Sequence, residues 1–419
     1  MNSYGKYTRL TQKAAKEIAA RHEMLLLGLA GGVRADFSGT DISGLDLVGY
    51  NLTDAVFAET RMAETNLADA SLNGARLAGA DLPRANLAGA RLRQADLRST
   101  NLSGANLIGA DLTGAALSPR PLHANISAEQ SAGHASATDI SHALLTSARL
   151  THADLSQIIA RDTDFSGAAM ANCRIVQANL SRSSFEGTLL GGSDFTASNI
   201  TGVNFTNAIL VGCQFSRVIA IDTILAGALT DQPAGTSANS TNTLLAQLAA
   251  HTAWIRSEGR EGHPADLSGR DLRGLKPPAF ALLKSLIAPK AIFYGIDLTG
   301  AVLTGADLEG ADLRATCLAE ADLRGANMAG ANICFADLHN ALMGPLILAD
   351  GRLMPTRLDG AIAHHADLRG ADLRRAAMTS IDLAYADLSG ASLRGTELAD
   401  ADLTGTRLTS MPGAPTALT

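Results

Sequence analysis

The chain has 419 residues, of which 46 % are hydrophobic and only 4 % are aromatic. This composition excludes a disordered chain and predicts a buried interior made of small and medium-sized aliphatic side chains. Lysine and arginine number 34 against 41 for aspartate and glutamate, so the formal net charge is -7. A mildly acidic chain of this kind argues against direct nucleic-acid binding, which usually needs a basic surface.

The four cysteines are far apart in the chain and form neither a CxxC pair nor a zinc-binding spacing, which favours a reducing compartment. They are Cys173, Cys213, Cys317 and Cys334. The apolar stretch MLLLGLA at 24–30 is too short to span a membrane and comes too late for a signal sequence. We therefore expect a soluble, cytoplasmic protein with no membrane span.

The first predicted element is an N-terminal helix and cap over residues 1–33, because an Ala-rich segment with helical spacing ends at the glycine cluster GLAGG. A period of five follows. An apolar residue, here called the centre of its pentad, occupies every fifth position from Phe37 to Leu122, eighteen centres in all. Neither a helix nor a flat strand has this period.

The residue two before each centre is usually alanine, as at Ala55, Ala70 and Ala75. Positions two apart lie on the same side of an extended backbone, so this residue and the centre both point inward. The residues that follow the centre are often Ser-Gly, Thr-Gly or Ala-Gly, which supply a bend. Short sides joined by equal corners predict a solenoid whose coils stack at roughly 4.8 Å around a column of centres.

The pentads ANLIG (105–109), ADLEG (306–310) and ADLRG (366–370) follow the pattern A(D/N)LxG. In this pattern the chain resembles the pentapeptide-repeat family. The resemblance implies a right-handed quadrilateral parallel β-helix with four pentads in each coil. We therefore expect an all-β solenoid of this type in two lobes, with short α-helical caps and insertions.

The first β-helix is expected over 34–229. A loop insertion is expected at 123–139, because the step from Leu122 to the next centre, Ile140, is not a multiple of five. A linker rich in Pro, Gly, Ser and Thr follows at 230–242.

A helical cap is expected over 243–262, with Thr241 or Asn242 as the N-cap residue of its helix. The segment 14–45 is echoed by 244–275, since both contain an Ala-rich helix with a histidine, a Gly-containing turn and then ADFSG or ADLSG. A helix can cover the exposed end of a solenoid. We therefore interpret both helices as caps in which His22 and His251 occupy equivalent places and bond to the adjoining turn.

The second β-helix is expected over 263–408, with a helical insertion at 275–291 that Pro277-Pro278 opens and that ends before Pro289. After this insertion the centres continue without interruption to Leu408. Residues 409–419 are expected to form a C-terminal tail.

The polar positions do not predict a catalytic or metal site. Residues 20 apart stack on one face, which places Asp367 next to Asp387 and Asp382 next to Asp402. Paired carboxylates can serve acid–base catalysis or bind a metal. The same position holds Asp or Asn interchangeably, however, which favours a structural role. No Ser/His/Asp order, phosphate-binding loop or HExxH motif is present, and we expect no catalytic residue, metal or cofactor.

Three histidines, His339, His364 and His365, fall on outward positions of neighbouring coils. No carboxylate or cysteine completes a ligand set at metal-binding spacing, so we interpret them as solvated surface residues.

The centres are expected to be buried. Phe165, Phe185 and Phe205 share one face, and we interpret them as stacked interior rings rather than as an aromatic groove. The residues singled out as structural core are Leu47, Leu107, Phe165, Phe185, Phe205, Leu308, Leu313 and Leu388.

With no catalytic pattern, we expect a non-enzymatic scaffold that binds a protein partner through its faces or its insertions. The candidate docking residues lie in the predicted helical insertion, although this helix could equally serve to seal a coil. They are Phe280, Leu282, Leu283, Lys284 and Leu286.

Two alternatives stay open. The resemblance implies that a chain of this family can mimic duplex DNA, bind a type II topoisomerase such as gyrase and give protection against quinolones. The excess of 16 Asp and Glu over 9 Arg within 293–408 supports this alternative, whereas the interspersed Arg369, Arg374, Arg375 and Arg394 argue against it. A bacterial secreted effector is compatible with the fold.

Overall fold

The computed structural model divides into two compact units, Met1–Asp231 and Gln232–Thr419, called here the first and the second unit. Each unit is a right-handed quadrilateral parallel β-helix. The residues that the structure describes are 7–119, 137–231, 238–273, 275 and 282–408.

The coils stack through the residue that precedes each centre. This residue forms a parallel bridge to the residue one coil further on, 20 positions away, as in Asp36–Val56 and Asp307–Asn327. Next to each bridge the backbone is paired in both directions. Leu52 N donates to Ser71 O at 2.7 Å, and Ser71 N donates to Tyr50 O at 3.0 Å. Four pentads therefore complete one coil, as predicted.

Each corner is a tight turn that begins at the centre. Ala55 N donates to Leu52 O at 3.1 Å, and Asp54 between them has a φ of 60°. A positive φ at the second central residue is the geometry of a type II turn. Glycine adopts this geometry without steric cost, which explains its frequency two residues after the centre.

The interior of each unit is filled by the centres and by the residue two before each centre. Phe165 stacks on Phe185 with ring centroids 4.6 Å apart, and Phe185 stacks on Phe205 at 5.3 Å. The residues named above as structural core are all at most 2 % exposed, and they are Leu47, Leu107, Phe165, Phe185, Phe205, Leu308, Leu313 and Leu388.

Helix α1 (Gln12–Leu26) lies over the first coil of the first unit and buries Ala15, Ala19 and His22. Thr11 caps this helix, because its side-chain oxygen accepts from Ala14 N at 3.2 Å. The strand β1 (Thr8–Arg9) pairs in parallel with β2 (Thr40–Asp41) and extends the stack below the first coil.

Helix α2 (Ala238–Arg256) belongs to the second unit. Its histidine makes the same hydrogen bond to the following turn as the histidine of α1. His22 Nδ1 accepts from Ala35 N at 3.2 Å, and His251 Nδ1 accepts from Ala265 N at 3.1 Å. The two histidines thus hold equivalent turns, as predicted. The predicted helix start is wrong, since α2 begins at Ala238. Ser and Thr cost a helix less than about 1 kcal/mol each, so these polar residues do not stop it.

The coil of the first unit resumes before the end of the loop insertion predicted at 123–139. Leu102 N donates to Asp139 O at 2.7 Å, so Ile140 is the next described centre after Leu117 in the stack. Leu122, the last centre predicted before this insertion, lies outside the described residues. Thr138 and Asp139 belong to the coil rather than to the insertion.

The predicted helical insertion at 275–291 is wrong over 282–291. These residues form two ordinary pentads with centres Leu283 and Ala288, and Leu282 bridges to Val302. Pro289 occupies the first central position of a turn, where its fixed φ is favourable rather than helix-ending. The remainder of the predicted insertion, apart from residue 275, lies outside the described residues.

A hairpin interrupts the second β-helix where the sequence predicts an unbroken run. Strands β3 (Leu346–Ile347) and β4 (Leu353–Met354) pair in an antiparallel arrangement. The stack resumes beyond it, with Asn327 bridging to Arg357 at a separation of 30 instead of 20. The hairpin adds the length of two pentads, so the period of five continues through it.

Candidate interaction surface

The outer faces of the second unit carry regular Asp–Arg ion pairs. In the sequence Asp-Leu-Arg the leucine is the centre, so both charged side chains lie outside and can meet across it. Arg369 donates hydrogen bonds to Asp367, with Nη2 lying 2.5 Å from Oδ2. These hydrogen bonds lower the pKa of the Asp367 carboxyl group. The pairs of this kind in the second unit are Asp271–Arg273, Asp312–Arg314, Asp322–Arg324, Asp367–Arg369 and Asp372–Arg374.

The stacked carboxylates predicted from the 20-residue spacing are present, but each stack contains a basic partner. Asp367 bridges to Asp387, and Asp382 bridges to Asp402. The imidazole of His364 lies 2.5 Å from Asp382. Burial raises the pKa of Asp382, but the hydrogen bond with His364 and that from Ala384 N leave this pKa below its ordinary value. Basic side chains therefore lie next to part of the stacked aspartates.

The three outward histidines have distinct surroundings. His339 Nδ1 lies 2.6 Å from Asp337, which raises the pKa of His339, and His364 pairs with Asp382. His365 lies in a ring stack, 5.0 Å from Phe335 and 5.5 Å from Tyr385 between centroids. Within the described part of the chain, no three His, Cys, Asp or Glu side chains are placed to hold a metal ion.

The ring stack of Phe335, His365 and Tyr385 was not predicted. All three residues occupy the left-handed turn position, with φ between 55° and 59°, where bulky side chains are uncommon. Gly405 ends the stack, because a Cβ there would lie 2.6 Å from the Tyr385 ring. The first two rings are 30 residues apart, so a search at 20-residue spacing does not find them.

The hairpin has one side on the β-helix and one side in solvent. Leu346 and Met354 pack at Gly325, where a Cβ would lie 2.7 Å from Leu346 and 2.8 Å from Met354. Their neighbours Ile347 and Leu353 pair with each other and are 71 % and 44 % exposed. The hairpin therefore presents an apolar pair to solvent.

One hydroxyl fixes the base of the hairpin. Thr356 Oγ1 accepts from Gly325 N at 3.0 Å, and it lies 3.1 Å from both Leu323 O and Gly344 O. Proline at 345 and 355 and the Asp350-Gly351 turn are the sequence signals that could have indicated this element.

Two of the five predicted docking residues do not lie on the surface. Leu283 and Leu286 are at most 1 % exposed, because both point into the coil. Their assignment to a docking site is therefore wrong. Leu282 is half-buried at a bridge position, Lys284 is exposed at a corner, and Phe280 lies outside the described residues.

The thiols are poorly placed for nucleophilic chemistry. Cys173 Sγ donates to Leu150 O at 3.0 Å inside the first unit, and burial raises the pKa of Cys173 to about 12. Cys334 is buried in the second unit, and burial raises its pKa to about 12 as well. Thiols with such pKa values stay protonated at neutral pH.

No helix in the described ranges is both long and apolar enough to cross a bilayer.

The repeat pattern matches one protein family over more than half of the chain. Eight segments match the description "Pentapeptide repeats", and they are 51–87, 85–118, 138–175, 178–217, 198–228, 290–318, 306–343 and 372–409. No curated protein sequence matches the chain.

Several solved structures are similar to the chain. A trypsin-treated QnrB1, described as a plasmid-mediated fluoroquinolone resistance protein, is 17 % identical over 50 % of this chain and 97 % of its own, with a TM-score of 0.32. Rfr23 from the cyanobacterium Cyanothece 51142 is 25 % identical over 32 % of this chain and 88 % of its own, with a TM-score of 0.25.

HetL from the cyanobacterium Nostoc sp. strain PCC 7120 is described as involved in heterocyst differentiation regulation. It is 25 % identical over 80 % of this chain and 88 % of its own, with a TM-score of 0.13. These likenesses transfer no function. The extent of the repeat match, together with the stacked coils, identifies the chain as a member of the pentapeptide-repeat family.

Proposed function

We propose that this protein is a non-enzymatic scaffold that binds a protein partner through the outer surface of its β-helices. The observation that carries this proposal is the closed interior. The centres and the residues two before them fill the described coils, and neighbouring coils use each other's backbone groups. Recognition must therefore take place on the outside, where a rigid backbone presents side chains at fixed intervals.

The state of the reactive groups also supports a non-enzymatic role. A nucleophile or general base needs a pKa matched to its task and a pocket in which groups converge. The buried thiols have raised pKa values, and carboxylates such as Asp367 are bound to arginine. Both arrangements favour a structural role for these residues over a catalytic role.

The hairpin is the proposed contact site on the second unit. Ile347 and Leu353 form an apolar pair that the β-helix does not cover, and burying this pair against a partner would be favourable. This choice replaces the docking site predicted at 280–286.

DNA mimicry receives no support from the surface charge. A mimic needs a continuous acidic stripe, whereas seven of the nine arginines within 293–408 are ion-paired with aspartates. We expect the purified chain to leave the supercoiling activity of a type II topoisomerase unchanged, with or without a fluoroquinolone. Inhibition at equimolar concentration would favour mimicry instead.

The scaffold proposal is tested by affinity capture from lysate of the source organism, with the wild type and the double variant Ile347→Glu, Leu353→Glu compared by mass spectrometry. Both residues are exposed, so the variant should melt like the wild type. A protein captured by the wild type and lost by the variant supports the hairpin as its contact. Turnover of a substrate by the purified chain would contradict the scaffold proposal.

A further inference from the structure

The end of α1 and the loop after it carry a cluster of exposed aliphatic side chains, called here the leucine patch. Leu27 is 73 % exposed, Leu29 is 54 % exposed and Val33 is 49 % exposed, while Leu25 and Leu26 are each 41 % exposed. Five such residues within nine positions make a patch of roughly 400 Å², a size that is often functional on a monomer.

The loop is firmly built. Leu29 N donates to Met24 O at 2.8 Å, and Val33 N donates to Arg21 O at 3.0 Å. Gly32 packs directly on the helix, since a Cβ there would lie 2.3 Å from Leu25 N. The leucine patch is therefore a fixed feature of the cap.

The second unit provides an internal control, because its cap has the same histidine contact but different surface residues. The turns that end the two helices have the same hydrogen bonds. Leu27 N donates to Glu23 O as Ser257 N donates to Ala253 O, and Leu29 N donates to Met24 O as Gly259 N donates to Trp254 O. Leu27 thus corresponds to Ser257 and Leu29 to Gly259. The cap fold does not need an apolar side chain at these positions, so the leucines of the first cap are not required for folding.

Charge distinguishes the first cap from the rest of the molecule. Residues 7–34 contain five basic and two acidic side chains, although the whole chain has a net charge of -7. Arg21 lies beside the patch, with Nε 3.5 Å from Gly31 O, and Arg34 follows Val33 directly. The two acidic residues are engaged, because Glu23 accepts from Asn51 N at 2.9 Å and Glu17 lies 3.9 Å from Lys13.

We propose that the leucine patch binds the surface of an anionic lipid bilayer, with the leucines entering the headgroup–acyl boundary and Arg21 and Arg34 facing the phosphates. Exposed leucines beside basic side chains have the composition of interfacial membrane anchors. A second copy of the chain would bring its own Arg21 and Arg34 to the same interface, where like charges repel. A second copy is therefore a poorer occupant than an anionic lipid surface.

The test measures flotation of the full-length chain with vesicles of phosphatidylcholine alone and of phosphatidylcholine mixed with phosphatidylglycerol. We expect the wild type to float with the mixed vesicles and the variant Leu27→Glu, Leu29→Glu to bind at least about tenfold more weakly. Thermal unfolding should be the same for both proteins, since the residues are exposed. Arg21→Gln combined with Arg34→Gln should weaken binding to the mixed vesicles only.

The matched control is Ile347→Glu, which removes an equally exposed apolar residue from the second unit and should leave flotation unchanged. Absence of wild-type flotation, or equal flotation of the Leu27→Glu, Leu29→Glu variant, would overturn the proposal. If the wild type formed a concentration-dependent dimer and the Leu27→Glu, Leu29→Glu variant stayed monomeric, the leucine patch would be assigned to contact with a second copy of the chain instead. Protein capture at the hairpin is a separate readout, so either proposal can fail alone.

Discussion

The two units are built from the same pentad but are interrupted in different ways. In the first unit the centre after Leu117 is Ile140, at a step of 23 that breaks the period of five. In the second unit the hairpin separates Met343 from Leu358 by 15 residues, which preserves the period. The comparison shows that the period determines which residues point inward, whereas the stacking order depends on what lies between the coils.

The units also differ in how they fill the interior. The first unit contains stacked phenylalanines between Phe165 and Phe215, accompanied by buried hydroxyls such as Ser193, which donates to Met170 O at 2.7 Å. The second unit has alanine at most positions two before a centre. One unit therefore relies more on ring packing, and the other relies on close aliphatic packing.

The largest expected effect comes from a charge placed in either interior. Leu107→Asp in the first unit and Leu313→Asp in the second should each cost more than about 4 kcal/mol of unfolding free energy, because an unpaired charge is buried. Trp254, the only tryptophan, lies in α2 and reports on the second unit. Its emission transition in guanidinium should shift in Leu313→Asp and stay unchanged in Leu107→Asp.

Far-UV circular dichroism provides the control, since it should detect the loss of structure in both variants. Equal shifts of the tryptophan transition in the two variants would show that the units unfold as one cooperative body.

The next largest effect should come from the hairpin contact, which among the described residues occurs in the second unit alone. Gly325→Ala places a Cβ 2.7 Å from Leu346 and at a φ of 68°, so we expect a loss of about 2–3 kcal/mol. Gly330→Ala is the matched control, because its φ is 65° and no atom lies within 4 Å of the added Cβ. It should cost only about 1 kcal/mol. Equal losses in denaturant titrations would mean that the hairpin does not pack there.

The fold is predictable from sequence because the inward positions of a solenoid repeat every five residues regardless of context. The helix predicted at 275–291 was wrong over 282–291 because a run of aliphatic residues fits both a helix and two pentads. Pro289 suits the turn equally well. The hairpin escaped prediction because it preserves the period of five, which outweighed the signals of Pro345, Pro355 and the Asp350-Gly351 turn. The ring stack of Phe335, His365 and Tyr385 escaped prediction because its recognition requires the stacking order, which this insertion changes.

A smaller loss of stability is expected at acidic pH, and it should arise in the helical cap of the second unit. Burial lowers the pKa of His251, with a contribution from His263, while the Lys284 backbone carbonyl opposes this shift. A lowered folded-state pKa means that the unfolded chain binds the proton more tightly. The contribution of His251 to the free energy of unfolding is therefore present above about pH 6.5, the ordinary pKa of histidine. This contribution is lost as the pH falls below that value.

The midpoint of the Trp254 transition should accordingly decrease between pH 7 and pH 5, and His251→Gln should reduce this dependence. A wild-type midpoint that is constant over this range would contradict the assignment.

The smallest effect should come from the carboxylate ladder. Asp382→Asn keeps the oxygen that accepts from Ala384 N and keeps an amide opposite His364. We therefore expect a change in unfolding free energy of no more than about 1 kcal/mol, as for partly exposed ion pairs. Asp372→Asn, which disturbs the exposed pair with Arg374, is the matched comparison. If Asp382→Asn abolished partner capture without altering the melting curve, the ladder would have to be interpreted as a binding site rather than as a structural column.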